Sequence, residues 1–287
     1  MRNLLPILTV VAVIVAVWYL AAMRMNAAWV YDQAARDGIE VSLSQVIPAT
    51  LTQERPVLPA PHQVVKGLAD GLFGQKITSK RSLVYHGWVT LSATLLGFVF
   101  GSAAGMALAV GIVYNRAMDM SVMPWAIASQ TIPILAIAPM IIVVLNSLGV
   151  TGVVPKAIIS AYLSFFPVVV GMVKGLRSPD AMQLDLLRTW SASGAQTFTR
   201  LRLPSSMPYL FASLKVGVAA SLVGTIVGEL PTGAVAGLGS RLLSGSYYGQ
   251  TVQIWAALFA AAMLAAALVG IIGMAERATL RRMGLAR

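Results

Sequence analysis

The chain has 287 residues, of which 57% are hydrophobic and only 11% charged, and its formal net charge is +11. A soluble globular domain carries about 25% charged residues, so a soluble fold could not cover this much apolar surface, and the composition indicates a membrane protein. The sequence has no cysteine and two histidines, which excludes disulfides and cysteine nucleophiles and leaves little for metal binding. The excess of basic residues is typical of the cytoplasmic loops of a membrane protein rather than of a nucleic-acid-binding surface.

Long apolar stretches with few or no charged residues predict the membrane-spanning helices, because a span needs roughly 20 apolar residues. In chain order they are residues 3–23, 87–115, 121–146, 155–174, 207–229 and 250–274. The turn signal from Asn146 to Gly149 separates the third helix from the fourth, and Pro155 suits the first turn of the fourth. The fold class is therefore an all-α membrane protein with six transmembrane helices.

The first helix is either a retained anchor (residues 1–23) or a cleaved signal peptide. Its apolar run is longer than the 7–15 residues usual in a signal peptide and no clear cleavage site follows, which favours the anchor. The segment of residues 24–81 has seven basic and five acidic residues and is predicted to be extracytoplasmic. Residues 82–287 form the predicted core.

The orientation follows from the charges of the short loops. With both termini in the cytoplasm, the two short outer loops hold only Lys156 and Arg241 as basic residues. The predicted cytoplasmic side then holds Arg2, Arg116, Lys174, Arg177, Arg188, Arg200, Arg202, Arg277, Arg281, Arg282 and Arg287.

Two helices carry polar or small-residue patterns. Gly97, Gly101 and Gly105 form two overlapping GxxxG steps, which let two helices approach closely, either within one subunit or in a dimer. The third helix contains Ser129-Gln130-Thr131 just before Pro133, which frees the carbonyl of residue 129 and should bend the helix. These polar side chains either satisfy the broken backbone or line a solute pathway.

Glu229 is the one acidic residue deep in the C-terminal hydrophobic half, at the outer end of the fifth helix. Its carboxylate is predicted to cap a helix, to pair with Arg241, or to lie at an outer gate of a solute pathway. The ion pair with Arg241 is the preferred interpretation, and the pathway role is kept as a hypothesis.

The loop between the fourth and fifth helices (residues 175–206) contains a short amphipathic segment. Ser178 suits the N-cap, Pro179 the first helical position, and Asp180 the positive end of a helix over residues 179–190. Leu184, Leu187 and Trp190 are predicted to lie on roughly one face, with Met182 beside them. This face either lies on the lipid surface or fills a groove of a partner protein.

The spacing within this loop resembles type I ABC importer permeases, in the branch that serves nitrate, sulfonates, taurine and thiamine-pyrimidine precursors. The family's loop pattern begins with Glu-Ala-Ala, followed after three unspecified residues by Gly. Nine unspecified residues then lead to Ile, and one more leads to Leu-Pro. The corresponding positions here are Asp185, Leu186, Leu187, Ser191, Leu201, Leu203 and Pro204. Further likeness extends over residues 58–282, whereas residues 24–57 are not explained by it.

The resemblance implies a five-helix permease core. This core would form the pathway for a small solute together with a second permease subunit, which is expected to be another copy of this chain. Cytoplasmic ABC ATPase subunits would bind ATP and Mg and grip the loop at Asp185, Leu186, Leu187, Arg188, Trp190, Ser191, Leu203 and Pro204. An extracytoplasmic solute-binding protein would deliver the solute. The expected location is the bacterial inner membrane. No cofactor or catalytic residue is expected in this chain, which lacks a P-loop pattern.

Two rival classes are weighed against this one. A secondary transporter or channel usually places several ionisable residues at mid-membrane, where acids are nearly absent here. A membrane enzyme needs clustered His, Asp, Glu or Cys side chains, and the sequence has only scattered ones.

Overall fold

The computed structural model describes residues 4–231 and 235–284. Arg2 and Arg287, which were assigned to the cytoplasmic side, therefore lie outside the described residues. Within the described residues every regular element is helical, which confirms the all-α fold class. The helices are α1 (Leu4–Asp37), α2 (Leu43–Leu51), α3 (Pro61–Leu72), α4 (Leu83–Tyr114), α5 (Arg116–Ser129), α6 (Ile134–Ser147), α7 (Val153–Leu176), α8 (Ala181–Thr189), α9 (Gly194–Thr197), α10 (Leu203–Glu229), α11 (Leu238–Tyr247) and α12 (Thr251–Arg282), with a π-helical turn at Phe198–Arg202.

The predicted spans correspond to long apolar helices. Five helices are each long and apolar enough to cross a membrane, and α5 with α6 form a sixth candidate if the bent pair is one span. The third span was predicted as one bent helix over 121–146. The structure instead breaks it at residues 130–133, with an angle of 96° between α5 and α6.

Pro133 explains the position of this break, because it cannot donate the helical hydrogen bond to the carbonyl of Ser129. That carbonyl instead accepts a hydrogen bond from the hydroxyl of Tyr162 on α7. The side chains of Ser129 and Thr131 bond backward to the carbonyls of Ala126 and Ala128, each at 2.7 Å. These two polar side chains therefore satisfy the broken backbone.

The chain forms two compact units. We call residues 1–87 with 240–261 the N-terminal unit, and residues 88–239 with 262–287 the main unit. In the N-terminal unit, α1 continues well beyond residue 23, where the predicted span ended. A helix does not have to end where its apolar run ends, because charged side chains are stable in a helix that has left the lipid.

Asn26 of α1 organises the segment that the family resemblance did not explain. Its side chain is fully buried. The Nδ2 atom donates to the carbonyls of Thr50 (3.1 Å) and Leu58 (2.9 Å), and Oδ1 accepts from the backbone N–H of Val57 (2.9 Å) and Leu58 (3.2 Å). Gln53 completes the network by donating to the Asn26 carbonyl at 3.1 Å. One amide thus holds the extended, proline-rich segment after α2 against α1.

In the main unit, the GxxxG face of α4 packs against α7. A Cβ atom at Gly97 would lie 2.5 Å from the carbonyl oxygen of Ala157, and one at Gly105 would lie 2.7 Å from that of Phe165. Both distances are too short for a real contact, so only glycine allows this approach. The pattern therefore serves packing within one chain, as the first of the two interpretations held.

Small residues also join α7 to α10. Gly171 faces Ser213, and Gly175 faces Ser206. The hydroxyl of Ser160 on α7 donates to the Ser221 carbonyl of α10 at 3.0 Å. Because these polar groups are paired inside the helix bundle, none of them has to face lipid.

We predict that Asn26→Leu releases the segment around Glu54. The substitution leaves buried backbone N–H and C=O groups without partners, at roughly 1–3 kcal/mol for each such group. Cleavage of the purified protein after Glu54 by a glutamate-specific protease should therefore become at least tenfold faster. Gln33→Ala, at an exposed position of the same helix, serves as the control and should leave the cleavage rate unchanged. Equal rates for Asn26→Leu and the unmodified protein would contradict the role of Asn26.

Candidate functional site

The predicted loop helix forms as α8, but it begins two residues later than expected. Asp180 is the N-cap in extended conformation, and its backbone N–H donates to Oε1 of Gln183 at 3.2 Å. Ser178, predicted as the N-cap, instead donates to the carbonyl of Gly175 at 2.7 Å and so finishes α7. Pro179 lies buried between the two helices. Within this turn Ser178 therefore caps the end of α7, and Asp180 begins α8.

The exposed apolar face of α8 also differs from the predicted one. Leu184 and Leu187 are partly buried. Met182, Leu186 and Trp190 are 83%, 51% and 72% exposed and follow each other at intervals of four residues, which places them on one side of the helix. We call these three residues the α8 stripe. Large exposed apolar side chains on a loop helix are typical of a docking surface.

Charged side chains flank the α8 stripe. Arg188 pairs with Asp185, with Nη1 and Oδ1 2.9 Å apart, and both side chains are exposed. Asp185 stands at the first position of the loop pattern and Arg188 among the three residues that the pattern leaves open. Their side chains lie beside the stripe. An exposed pair three residues apart stabilises a helix by only about 0.2–0.5 kcal/mol, so the pair contributes little to folding.

The turn after α8 contains a residue in the left-handed conformation. Ser191, at the position of the family's glycine, has a φ angle of 52°, the left-handed conformation in which glycine is usually found. Serine accepts this conformation at some cost. The hydroxyl of Ser193 then accepts from the backbone N–H of Gln196 at 3.3 Å and starts α9.

Arg202 holds the base of the loop. Its Nη1 donates to the carbonyl of Leu176, the last residue of α7, at 3.0 Å, and its guanidinium lies 5.7 Å from the ring centre of Tyr114. Leu203 packs against the core formed around Val168 and Leu210. The predicted Leu203 and Pro204 therefore belong to the base of the loop, at the start of α10, and are separate from the α8 stripe.

A further ion pair near this base was missed in the sequence. Arg177, just after α7, lies 2.8 Å from Asp119 of α5, measured between Nη2 and Oδ2. The two residues come from different predicted cytoplasmic loops. Their predicted location on the same side of the membrane was the one indication in the sequence that they could be in contact. The pair joins the start of the broken span to the loop that carries α8.

Glu229 lies in a second polar cluster of the main unit, and its partner is not the one predicted. The carboxylate is 0% exposed. Its Oε1 is 3.7 Å from Nζ of Lys156, while Oε2 accepts from the backbone N–H of Gly239 at 2.9 Å. Thr90 donates to the carboxylate at 3.0 Å. The predicted pair with Arg241 is wrong, because the cation at the carboxylate is Lys156 at the start of α7.

This cluster gathers four elements at one point. Lys156 also donates to the carbonyl of Ala236 at 3.1 Å, and Thr90 accepts from the backbone N–H of Leu238 at 2.9 Å. Gly237 has a φ angle of 129°, and a Cβ atom there would collide with the Glu229 carboxylate. The cluster thus joins α4, α7, α10 and the start of α11. In this conformation no solute can reach Glu229, and its pathway role stays a prediction.

The other predicted pathway residue, Gln130, is exposed at the break between α5 and α6. Its Nε2 is 3.4 Å from Oγ of Ser129, which leaves most of its amide available. A further ion pair between helices, which was missed in the sequence, joins Lys215 of α10 to Glu276 of α12. No group of three or more potential metal ligands occurs in residues 4–231 and 235–284.

Comparison with known proteins adds to this geometry. The family model described as "Binding-protein-dependent transport system inner membrane component" matches residues 97–283. The formylaminopyrimidine transport permease protein ThiX of Halalkalibacterium halodurans is 29% identical over 80% of this chain and 85% of its own length. The riboflavin transport system permease protein RibX of Chloroflexus aurantiacus is 29% identical over 78% and 80%. The putative aliphatic sulfonates transport permease protein SsuC of Bacillus subtilis is 22% identical over 84% and 83%.

We predict that Glu229→Leu destabilises the protein by about 3–5 kcal/mol, because removing one partner of a buried ion pair leaves the other charge uncompensated. The fall should appear as a lower midpoint of thermal unfolding in detergent. Glu229→Leu combined with Lys156→Leu should recover part of the loss. Asp185→Asn, in the exposed pair of α8, should cost less than about 0.5 kcal/mol. A midpoint for Glu229→Leu as high as that of Asp185→Asn would contradict the role of the buried pair.

Proposed function

This chain belongs to the family of binding-protein-dependent transport system inner membrane components, and we propose that it passes ATP-driven motion to its spans through the α8 stripe. The chain is the permease subunit of an ABC importer and a multi-pass membrane protein. The observation that supports the coupling role is the exposed apolar stripe of Met182, Leu186 and Trp190 on the loop helix.

An ABC ATPase is the proposed partner of the stripe. The chain has no phosphate-binding loop pattern, so ATP and Mg would be bound by a separate subunit. An amphipathic helix docks by laying its apolar face in a groove of the partner. Burial of one large apolar side chain is worth roughly 1.5–3 kcal/mol, so three such side chains supply a substantial share of the contact.

The base of the loop explains how docking would move the pathway. The short linker that contains Pro179 joins α8 to α7, and Arg202 bonds the end of α7 at the point where α10 begins. Because α7 and α10 pack closely through small residues, a displacement of α8 would move both helices together. ATP binding and release in the partner would thereby alternate the access of the pathway.

The complete importer is proposed to contain two copies of this permease, two ATPase subunits and an extracytoplasmic solute-binding protein. The support is family membership, since the family description names binding-protein-dependent transport. The solute is proposed to be small, either an anion such as nitrate or a sulfonate or a planar compound related to pyrimidines. Relatives are named for formylaminopyrimidine, aliphatic sulfonates and nitrate.

The location is proposed to be the bacterial inner membrane, with both termini in the cytoplasm. This orientation puts α8 and its basic flanks on the side where ATP is available. It also puts the segment of residues 24–81 on the side where a solute-binding protein would approach.

We predict that Leu186→Asp combined with Trp190→Asp abolishes copurification of the ATPase with the permease. The two substitutions remove apolar burial and place charges in the proposed groove. Membrane insertion should be normal, because neither residue lies in a span. Ala181→Asp adds the same charge at the favourable end of α8 and outside the stripe, so it should retain the ATPase. Retention of the ATPase by the folded double variant would reject the proposal.

We predict that Ser44→Cys reacts with a membrane-impermeant maleimide in intact cells with a permeabilised outer membrane. The natural chain has no cysteine, and Ser44 is exposed, so the label reports one position alone. Ala117→Cys, exposed in the first turn of α5, should react only in inside-out vesicles. The reverse labelling pattern would invert the proposed orientation.

A further inference from the structure

The N-terminal unit contains a cleft of about 540 Å³ that docking of α8 does not use. Small-molecule sites in proteins usually have volumes of about 300–1,000 Å³. The walls of the cleft come from α3, the residues before α4, α11 and the start of α12. Its polar lining includes Glu54, Asp70, Arg81, Arg241, Gln250 and Gln253.

Two arginines, Arg81 and Arg241, contribute to this lining. Burial, and then the positive charge of Arg81, lower the pKa of Arg241 below its usual value. The described residues form four ion pairs, and neither arginine takes part in any of them. The cleft therefore holds two guanidinium groups, and among the described residues neither has a carboxylate in salt-bridge contact. A bound anion would stabilise the charged form of both groups.

The side chain of Arg241 also has a buried donor without an acceptor. Its Nε atom is inaccessible to solvent and has no hydrogen-bond partner among the described residues. A buried N–H group is nearly always hydrogen-bonded in native proteins. A ligand in the cleft cannot reach this closed Nε atom, but Arg241 as a whole is half-buried. The other N–H groups of its guanidinium form a fork that matches the geometry of carboxylate, sulfonate and phosphate oxygens.

The remaining lining limits the charge of a ligand. Two arginines and the two carboxylates of Glu54 and Asp70 give a formal lining charge of zero, which disfavours a multiply charged anion. The amides of Gln250 and Gln253 provide neutral donors and acceptors for the rest of a ligand. The volume exceeds what an inorganic ion alone would fill.

We propose that this cleft binds a small organic molecule through one singly charged oxyanion group, held by Arg81 and Arg241. The group can belong to a free carboxylate or sulfonate, or to the phosphodiester of a membrane lipid. The proposal stands on the N-terminal unit alone and does not depend on the docking of α8.

The test uses isothermal titration calorimetry on the full-length permease, with methanesulfonate as the probe. The protein is purified in dodecyl maltoside, a detergent that contains no phosphate group to compete for the cleft. We expect saturable binding, with an affinity at least tenfold lower in Arg241→Gln and in Arg81→Gln. Lys76→Gln removes an equal charge at an exposed position outside the lining and should bind like the natural protein. Arg81 is exposed, so its variant keeps the test valid if Arg241→Gln does not fold.

A second arm separates the two sources of the oxyanion. Added phosphatidylglycerol should displace methanesulfonate if the phosphodiester of a lipid occupies the cleft. It should have no effect if the site takes free solutes. Either result supports the binding of an oxyanion group. The absence of saturable binding would overturn the proposal, as would unchanged affinity in both arginine variants or an equal loss in Lys76→Gln. None of these results would affect the proposed coupling, which is measured by copurification of the ATPase.

Discussion

Inside a lipid bilayer no water is available to polar groups, so the packing of the main unit depends on their pairing with one another. Thr94 of α4 donates to Thr225 of α10 at 3.0 Å, and Ser221 of α10 donates to the Thr94 carbonyl at 2.9 Å. The glycines of α4 bring its backbone close to α7, and Gly224 of α10 lies against Ser160 of the same helix, so that α4 and α10 both pack on α7. Hydroxyl pairing and small residues are therefore two parts of one solution, and large apolar side chains at these positions would prevent both.

The ends of the same helices are held by charges. Glu229 and Lys156 join the helices at one end of the main unit, and Arg177, Asp119 and Arg202 join them around the loop. Between these two sets, α7 and α10 form a continuous packed pair. The free surface of α8 differs in kind, because its large apolar side chains have no such partner within the described chain. This contrast between a well-paired framework and an unpartnered stripe underlies the proposed coupling.

The spans were predictable because a long apolar run is a direct consequence of lipid as the solvent. Features that depend on contacts distant in sequence were not. Pro133 indicated a bend, but the carbonyl that it frees is bonded by Tyr162, 33 residues away. Similarly, Glu229 selects Lys156 rather than Arg241 through packing that no local pattern records. In α8, nine residues are too few for spacings of three and four to be distinguished, so the exposed face needed the structure.

The length of α1 has a geometric consequence. Its 34 residues, at 1.5 Å each, make a rod of about 51 Å, whereas the hydrocarbon layer is about 30 Å thick. About 20 Å of helix must therefore stand clear of the hydrocarbon or be absorbed by tilt. If α1 stands upright, its C-terminal end projects from the membrane and is joined by Asn26 to the segment after α2. A soluble protein that approaches on the side of this end would then contact the helix before it reached the lipid surface.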